Sequence, residues 1–121
     1  MEKKDLSKRE QLLETTPVVI TVYNRPHALG ALIDSLREVK PRIIYLLSDG
    51  PASSEDREAV QSCRDLAQEI DWDCELTTFF SEINLGLYRL VTDYLDLILN
   101  KYDSFIRLED DCIPDPRFFD Y

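Results

Sequence analysis

The sequence lacks any long apolar run. Its first ten residues, MEKKDLSKRE, have none of the apolar core of a signal peptide, and no later apolar stretch approaches the roughly 18 residues that a membrane-spanning helix needs. We therefore expect no transmembrane segment and a cytoplasmic location.

Positive charge is scarce as well. The 14 basic and 24 acidic side chains give a formal net charge of -10 at pH 7. Such a charge repels the phosphate backbone of nucleic acids and the surface of anionic membranes, so we expect no nucleic-acid partner. An anionic ligand would have to be bound locally, and we expect a metal ion to bind with it.

Cysteine and histidine are few, and the common catalytic motifs are absent. The three cysteines, Cys63, Cys74 and Cys112, show no CxxC spacing, so we expect reduced thiols and neither a disulfide framework nor a zinc site. The single histidine, His27, is expected to be an incidental surface residue. The sequence has no GxSxG elbow, no GxxxxGK[ST] loop and no GxGxxG after the first strand, which argues against the usual hydrolase, P-loop and dinucleotide-binding classes.

The residues that are present indicate one globular domain in which strands and helices alternate. Of the 121 residues, 44% are hydrophobic and 31% charged, as in ordinary globular proteins. Residues 1–15 are a polar N-terminal segment with a candidate capping box from Ser7 to Glu10. Short apolar runs predict four strands, at 17–23, 42–48, 74–80 and 104–108. Apolar residues at helical spacing predict three helices between them, over 27–36, 53–69 and 87–98.

This alternation predicts an α/β fold with a parallel, doubly wound, Rossmann-like sheet of about four strands and helices on both faces. In such sheets ligands bind outside the carboxyl ends of the strands. Here those ends carry the polar segments NRP, SDGP, NLGLYR and EDD. We therefore expect a ligand site at this edge of the sheet.

The segment EDD places Glu109, Asp110 and Asp111 directly behind an apolar run. Crowded like charges are costly unless a cation or a polar ligand lies among them. Asp110 and Asp111 are hard oxygen donors of the kind that hold Mg²⁺ or Mn²⁺ together with phosphate oxygens. The alternative is that the acidic run is only a solvated loop.

Other polar positions also follow the predicted strands. Asp49 could accept a hydrogen bond from a ring N–H or a ribose hydroxyl, or serve only as a turn residue before Gly50. Arg25 could offer its donors to a base or a diphosphate, or be only solvated. Gly86 and Arg89 lie near the start of the third helix, whose N-terminal amides could favour an anion, although Arg89 could equally lie on the outer face of that helix.

Taken together, TPVVITVYNRP, LLSDGP, NLGLYR and RLEDDCIPDPRFFDY resemble the nucleotide-sugar-binding half of GT-A glycosyltransferases. The last segment is most similar to the group related to the animal N-acetylglucosaminyltransferase that initiates hybrid N-glycans. The resemblance implies that residues 16–121 are a nucleotide-sugar-binding domain, the first half of a longer catalytic domain. It also implies a UDP-sugar donor, a divalent cation, and a glycan or other hydroxyl acceptor.

The resemblance also implies a role for each candidate residue. Asp111 coordinates Mn²⁺, or Mg²⁺, that bridges the diphosphate, and Asp110 supports the sugar or the metal. Glu109 lies near the ribose. Asp49 recognises the uracil or the ribose, and Arg25 helps to hold the nucleotide.

The sequence departs from the family pattern at one position beside the base and in its length. Leu87 stands where the animal enzyme has a histidine beside the base, which weakens the inference of a uridine preference. Family members continue past the metal motif into an acceptor-binding half, so we expect this chain alone to be inactive, and the strand edge left open could drive self-association.

The alternatives are a receiver-like signalling module, which would need an acidic pair after the first strand, and a catalytically inactive interaction domain.

Overall fold

A computed structural model describes residues 7–112, 114 and 116–120 and shows an α/β fold built on one parallel sheet. The strands of this sheet are β1 (Val18–Val22), β2 (Ile43–Ser48), β3 (Glu75–Phe80) and β4 (Ile106–Glu109). They lie in the order β3-β2-β1-β4, and each neighbouring pair is parallel. The α-helices of the described residues are α1 (Lys8–Thr15), α2 (Pro26–Val39), α3 (Arg57–Asp65) and α4 (Leu87–Leu99). Shorter 3₁₀ helices span Ser54–Asp56, Leu66–Glu69 and Pro116–Asp120.

The predicted α/β class and the parallel sheet are confirmed, and each predicted strand forms close to its expected bounds. The continuous apolar runs identified β1 and β2 because both strands are buried along nearly their whole length, as a parallel sheet covered by helices requires. β4 differs most from its prediction. It begins at Ile106 and ends at Glu109, so the first acid of the triplet belongs to the strand, where it lies opposite Thr21 of β1.

The helix predicted over 53–69 forms as an α-helix only in its middle, with a 3₁₀ turn on each side. Ser53, which precedes the first of these 3₁₀ turns, makes no capping hydrogen bond. The Asp56 carboxylate, which precedes α3, accepts hydrogen bonds from the Tyr23 hydroxyl at 2.8 Å and from Asn24 Nδ2 at 3.1 Å. The start of the helix is therefore tied to the loop after β1 and not capped by its own side chains.

α1 lies inside the segment that was predicted to be polar. The Ser7 hydroxyl oxygen accepts a hydrogen bond from the Glu10 N–H at 3.2 Å, as the capping pattern predicts. On the same helix Leu13 is buried and belongs to the core cluster that includes sheet residues. α1 therefore shares a core with residues 16–121.

Helices cover both faces of the sheet. Alternate residues of a strand point to opposite faces, so Ile20 packs with α2 in one core cluster while Val19 packs with α4 in a second. The α2 side chains in the first cluster are Leu29, Leu32, Ile33 and Leu36, and the α4 side chains in the second are Leu90 and Ile98. Full burial of each such side chain stabilises the fold by roughly 1.5–3 kcal/mol.

The cysteines are free thiols, as predicted. Cys63 is buried, Cys74 is partly buried and Cys112 is exposed. Burial raises the pKa of the Cys63 thiol to about 11, which keeps it protonated and unreactive at neutral pH. His27 lies exposed at the start of α2, as expected. Within the described part of the chain, no helix combines the length and the apolar character that crossing a membrane requires.

Candidate functional site

A cavity of about 300 Å³ lies at the carboxyl ends of the strands. Parallel strands bring their carboxyl ends to the same edge of a sheet, and ligands of α/β proteins bind there. The volume is at the lower end of the range for small-molecule sites, roughly 300–1,000 Å³. The polar residues that line it come from every strand end: 23–25 after β1, Asp49 after β2, Asn84 and Gly86 after β3, and Glu109 and Asp110 at the end of β4.

The structure brings the five candidate site residues together. Arg25, Asp49, Glu109 and Asp110 line the cavity, and Asp111 lies beside it in an ion pair with Arg25. They come from positions up to 86 residues apart in the sequence. The register of β1 with β4 explains this proximity, because it places the loop that carries Arg25 next to the acidic triplet.

Arg25 lies between the last two acids of the triplet. Its Nη1 atom is 3.0 Å from Asp111 Oδ2 and 4.0 Å from Asp110 Oδ1. The Arg25 and Asp111 side chains are 58% and 54% exposed, so this ion pair contributes only about 0–1 kcal/mol to stability. A ligand that offers either partner a better contact can therefore separate them.

Asp110 differs from its two acidic neighbours because its side chain is only 11% exposed. The Asp110 N–H donates to the Thr21 carbonyl at 3.2 Å, which continues the pairing of β1 with β4 and directs the side chain into the cavity wall. Burial raises the pKa of the Asp110 carboxyl, and the nearby Arg25 guanidinium opposes the rise. Glu109 is more exposed and accepts a hydrogen bond from Arg107 Nη2 at 3.4 Å.

The charge of the cavity favours a bound cation. Its wall carries the carboxyl groups of Asp49, Glu109 and Asp110, and among the described residues that line it Arg25 is the only cation. No group of three or more His, Cys, Asp or Glu side chains within the described residues could hold a metal ion alone. Mg²⁺ and Mn²⁺ often bind through one or two carboxylates and complete their shell with water and ligand phosphates. Asp110 and Asp111 fit a cation of that kind, shared with a phosphate ligand.

Asp49 is buried at the floor of the cavity, only 6% exposed, and its carboxylate accepts four hydrogen bonds. Oδ1 accepts from the Gly50 N–H and the Leu85 N–H, both at 2.8 Å. Oδ2 accepts from the Gly86 N–H at 3.0 Å and from Asn84 Nδ2 at 3.3 Å. Asp49 therefore joins the loop after β2 to the loop between β3 and α4.

Arg64 of α3 binds the same two strand ends from the other side. Its Nε donates to the Ser48 hydroxyl at 3.0 Å, and its Nη2 donates to the Asp49 carbonyl at 3.2 Å and the Ser81 carbonyl at 2.6 Å. The guanidinium also lies 4.9 Å from the centre of the Phe80 ring. The carbonyl groups that end β2 and β3 are thus held in place by one side chain.

Several residues at or behind the cavity were not singled out from the sequence. Tyr23, Asn24 and Asn84 line it. Asn24 and Asn84 lie in the polar segments NRP and NLGLYR, so their positions were an available signal, whereas Tyr23 was counted as the last residue of the first predicted strand. Asp56 lies behind the cavity and accepts hydrogen bonds from Tyr23 and Asn24. These hydrogen bonds lower the pKa of the Asp56 carboxyl. Arg64 gave no sequence signal, because a basic residue on a helix is usually solvated.

The residues at the start of α4 fall into two groups. Gly86 and Leu87 line the cavity, with Leu87 adding an apolar surface at its opening. Arg89 points away on the outer face of the helix, where its Nε lies 3.5 Å from Asp93 Oδ2. The outer-face alternative for Arg89 is therefore the observed one.

Comparison of the chain with protein-family models, with curated proteins and with solved structures finds no match. The four segments NRP, SDGP, NLGLYR and EDD contain all five candidate residues that the structure brings together.

Proposed function

We propose that this protein binds a nucleotide-sugar donor, with a UDP-sugar as the expected ligand, together with Mn²⁺ or Mg²⁺. The observation that carries the proposal is the meeting of all four strand ends at one cavity, with an acidic pair and an arginine at its edge. The sheet, with helices on both faces, supports a doubly wound, Rossmann-like, donor-binding half of a GT-A glycosyltransferase.

A divalent cation is needed because the cavity and the ligand have the same sign of charge. Two unit charges about 4 Å apart repel by about 4 kcal/mol at an effective dielectric constant of about 20, so a diphosphate beside Glu109 and Asp110 would be strongly disfavoured. A cation held by Asp110 and Asp111 reverses this interaction. When bound, such an ion stabilises the charge that develops on the departing diphosphate.

The protein's own side chains would make the remaining contacts with the metal ion and the nucleotide sugar. Asp111 is exposed and can turn its carboxylate towards the metal, while the buried Asp110 keeps a fixed orientation. Arg25 would donate to the diphosphate, with Asp111 holding the metal ion. Glu109 and Leu87 also line the cavity. In the proposed complex Glu109 would lie near the ribose, and Leu87 would offer an apolar surface to the base.

The acceptor and the location of the protein belong to the proposal as well. We propose a glycan or other hydroxyl acceptor for the complete enzyme and a cytoplasmic location. The edge strands of the described sheet, β3 and β4, each have one free side and are the surfaces through which copies of the chain could associate.

A thermal-shift panel tests the proposal. A ligand that binds only the folded protein stabilises it by about 2.7 kcal/mol at about 100 times its Kd, so UDP with Mn²⁺ should raise Tm clearly. UDP without a metal should have little effect, and pyrophosphate with Mn²⁺ an intermediate one. The proposal is wrong if no nucleoside diphosphate or sugar nucleotide raises Tm with either Mn²⁺ or Mg²⁺.

A further inference from the structure

The hydrogen bonds of Asp49 assign it a role different from the one that the glycosyltransferase resemblance implies. We infer that Asp49 is a positioning residue, which fixes the loop between β3 and α4 at the cavity and does not itself contact the nucleoside. The inference about the loop stands on geometry alone, and its consequence for nucleotide binding rests on the proposed function.

The hydrogen-bonding capacity of the Asp49 carboxylate is already filled by protein donors. Two oxygens of an ionised carboxylate offer about four lone-pair positions. The four donors described above, three backbone N–H groups and the amide nitrogen of Asn84, occupy that number. A ring N–H or a ribose hydroxyl could bind Asp49 only by displacing one of them, which would leave a protein donor without its partner.

The loop after β2 and the loop between β3 and α4 are in close contact. A Cβ atom added to Gly50 would lie 2.5 Å from the carbonyl carbon and oxygen of Ile83 and 2.9 Å from the carbonyl carbon of Glu82. The backbone at Gly50 therefore rests directly on the backbone of the β3–α4 loop. Asn84 Nδ2 also donates to the Gly50 carbonyl at 2.8 Å, which adds a further tie between the loops.

The start of α4 also depends on Asp49. The residue that precedes this helix is Gly86, which has a positive φ of 84° and no side chain that could cap the helix. Asp49, from the loop after β2, accepts the N–H groups of Gly86 and Leu85 in place of a local cap. Its negative charge at the N-terminal end of α4 also stabilises the helix dipole.

The consequence concerns the residues that the loop presents. Asn84, Gly86 and Leu87 line the cavity, and Asp49 sets the position of all three. Loss of the Asp49 carboxylate should therefore move the loop. Any other change that moves the loop should have the same effect on ligand binding as the loss of Asp49.

Hydrogen exchange of backbone amides tests the positioning role without a ligand. In the wild-type protein the Leu85 and Gly86 amide protons should be protected, and in Asp49→Asn they should exchange about tenfold faster or more, because at least one acceptor becomes a donor. The Ser81 amide, which donates to the Ser48 carbonyl, should change little. Asp93→Asn, which alters an exposed acid on α4, should leave all three unchanged and serves as the control.

Two results of this measurement would overturn the inference. One is unprotected Leu85 and Gly86 amides in the wild-type protein, which can be measured even if Asp49→Asn does not fold. The other is unchanged exchange at both amides in a folded Asp49→Asn protein.

Binding of UDP and pyrophosphate with Mn²⁺ separates positioning from direct contact. If Asp49 positions the loop, Gly50→Ala, which keeps the carboxylate but pushes the loop away, should reproduce the ratio of UDP to pyrophosphate affinity seen in Asp49→Asn. The double variant should then lose little more affinity than either single variant. A selective loss of UDP affinity in Asp49→Asn alone, additive with the effect of Gly50→Ala, would show direct contact. If the wild-type protein binds neither ligand, the proposed function fails, and amide exchange still decides the role of Asp49.

Discussion

At the scale of single residues, Arg25 offsets part of the negative charge at the acidic edge of the ligand-free cavity. Its guanidinium lies closer to Asp111 than to Asp110, and it partly neutralises both. A metal ion held by Asp110 and Asp111, as proposed above, would compete with Arg25 for the same carboxylate oxygens. A diphosphate would relieve this competition, because it would give Arg25 another acceptor.

We predict that Arg25→Gln has opposite effects on the two ligands. Mn²⁺ alone should bind the variant up to a few times more tightly, because an exposed ion pair worth about 0–1 kcal/mol no longer opposes it. UDP in the presence of Mn²⁺ should bind about 10 to 100 times more weakly, since a hydrogen bond to a charged group contributes about 1.5–3 kcal/mol. Calorimetry of each ligand measures both effects.

Arg42→Gln is the matched control for this prediction. Arg42 also pairs with an exposed acid, with its Nη2 atom 3.5 Å from Asp73 Oδ2, but it lies at the opposite end of β2. Arg42→Gln should change neither the affinity for Mn²⁺ nor the affinity for UDP in the presence of Mn²⁺. A parallel weakening of Mn²⁺ and UDP binding in Arg25→Gln would contradict the competition between Arg25 and the metal.

Asp110 makes the stability of the ligand-free protein depend on pH. The folded state raises the pKa of its carboxyl above the ordinary value of 3.8, chiefly because burial disfavours the charged form. The folded protein therefore holds this proton more tightly than the unfolded chain does. The stabilisation that the protonated Asp110 carboxyl gives the folded protein is fully present below the ordinary pKa. It is lost as the pH rises through the raised pKa of the folded state.

We predict that Asp110→Asn stabilises the ligand-free protein at neutral pH, with a rise in Tm of a few degrees. The uncharged amide removes the cost of a buried charge and retains an oxygen acceptor. The difference in Tm between variant and wild type should grow from acid to neutral pH. A variant that is less stable than wild type at neutral pH would show that the pairing of Asp110 with Arg25 outweighs its burial.

At the scale of elements, the cavity depends on how α3 and α4 are fastened to the ends of β2 and β3. Arg64 donates to carbonyl groups at both strand ends, and Asp49 accepts from the N–H groups of the two residues just before α4. The two side chains act on adjoining backbone, so the floor of the cavity is fixed from both sides. Most of these partners are distant in sequence. Apart from the adjacent Gly50, Asp49 bonds to residues 35 to 37 positions away, and Arg64 bonds to residues 15 to 17 positions away.

We predict that Arg64→Lys lowers the free energy of unfolding by about 1–3 kcal/mol, because an ammonium group cannot replace a planar fork that binds several oxygens at once. Arg57→Lys, an exposed position on the same helix, should change it by less than about 0.5 kcal/mol. Urea denaturation of the two variants measures the difference. Equal stability of Arg64→Lys and wild type would mean that the observed hydrogen bonds contribute nothing net.

The elements themselves were largely predictable from sequence, and the reasons differ between them. β1 and β2 were found because strands buried on both faces read as continuous apolar runs. The start of α3 was missed because Asp56 turns its carboxylate to Tyr23 and Asn24, and such distant partners leave no trace in local spacing.

At the scale of the whole molecule, the edge of the sheet where the site lies was predictable, but the state of each side chain there was not. Parallel strands made the meeting of NRP, SDGP, NLGLYR and EDD a topological necessity. The saturation of Asp49 and the burial of Asp110 depend on loop packing, which the sequence pattern does not specify.

We propose that this acidic cavity binds a nucleoside diphosphate through a divalent cation held by the triplet. The decisive measurement is calorimetric titration of UDP, with and without Mn²⁺, into wild type and Asp111→Asn, with Asp93→Asn as a control acid outside the cavity. We expect Mn²⁺-dependent UDP binding by wild type and by Asp93→Asn, and loss of most of the Mn²⁺-dependent part in a folded Asp111→Asn protein. UDP affinity that is the same with and without Mn²⁺, or that is unchanged in Asp111→Asn, would show that the triplet does not bind UDP through a cation.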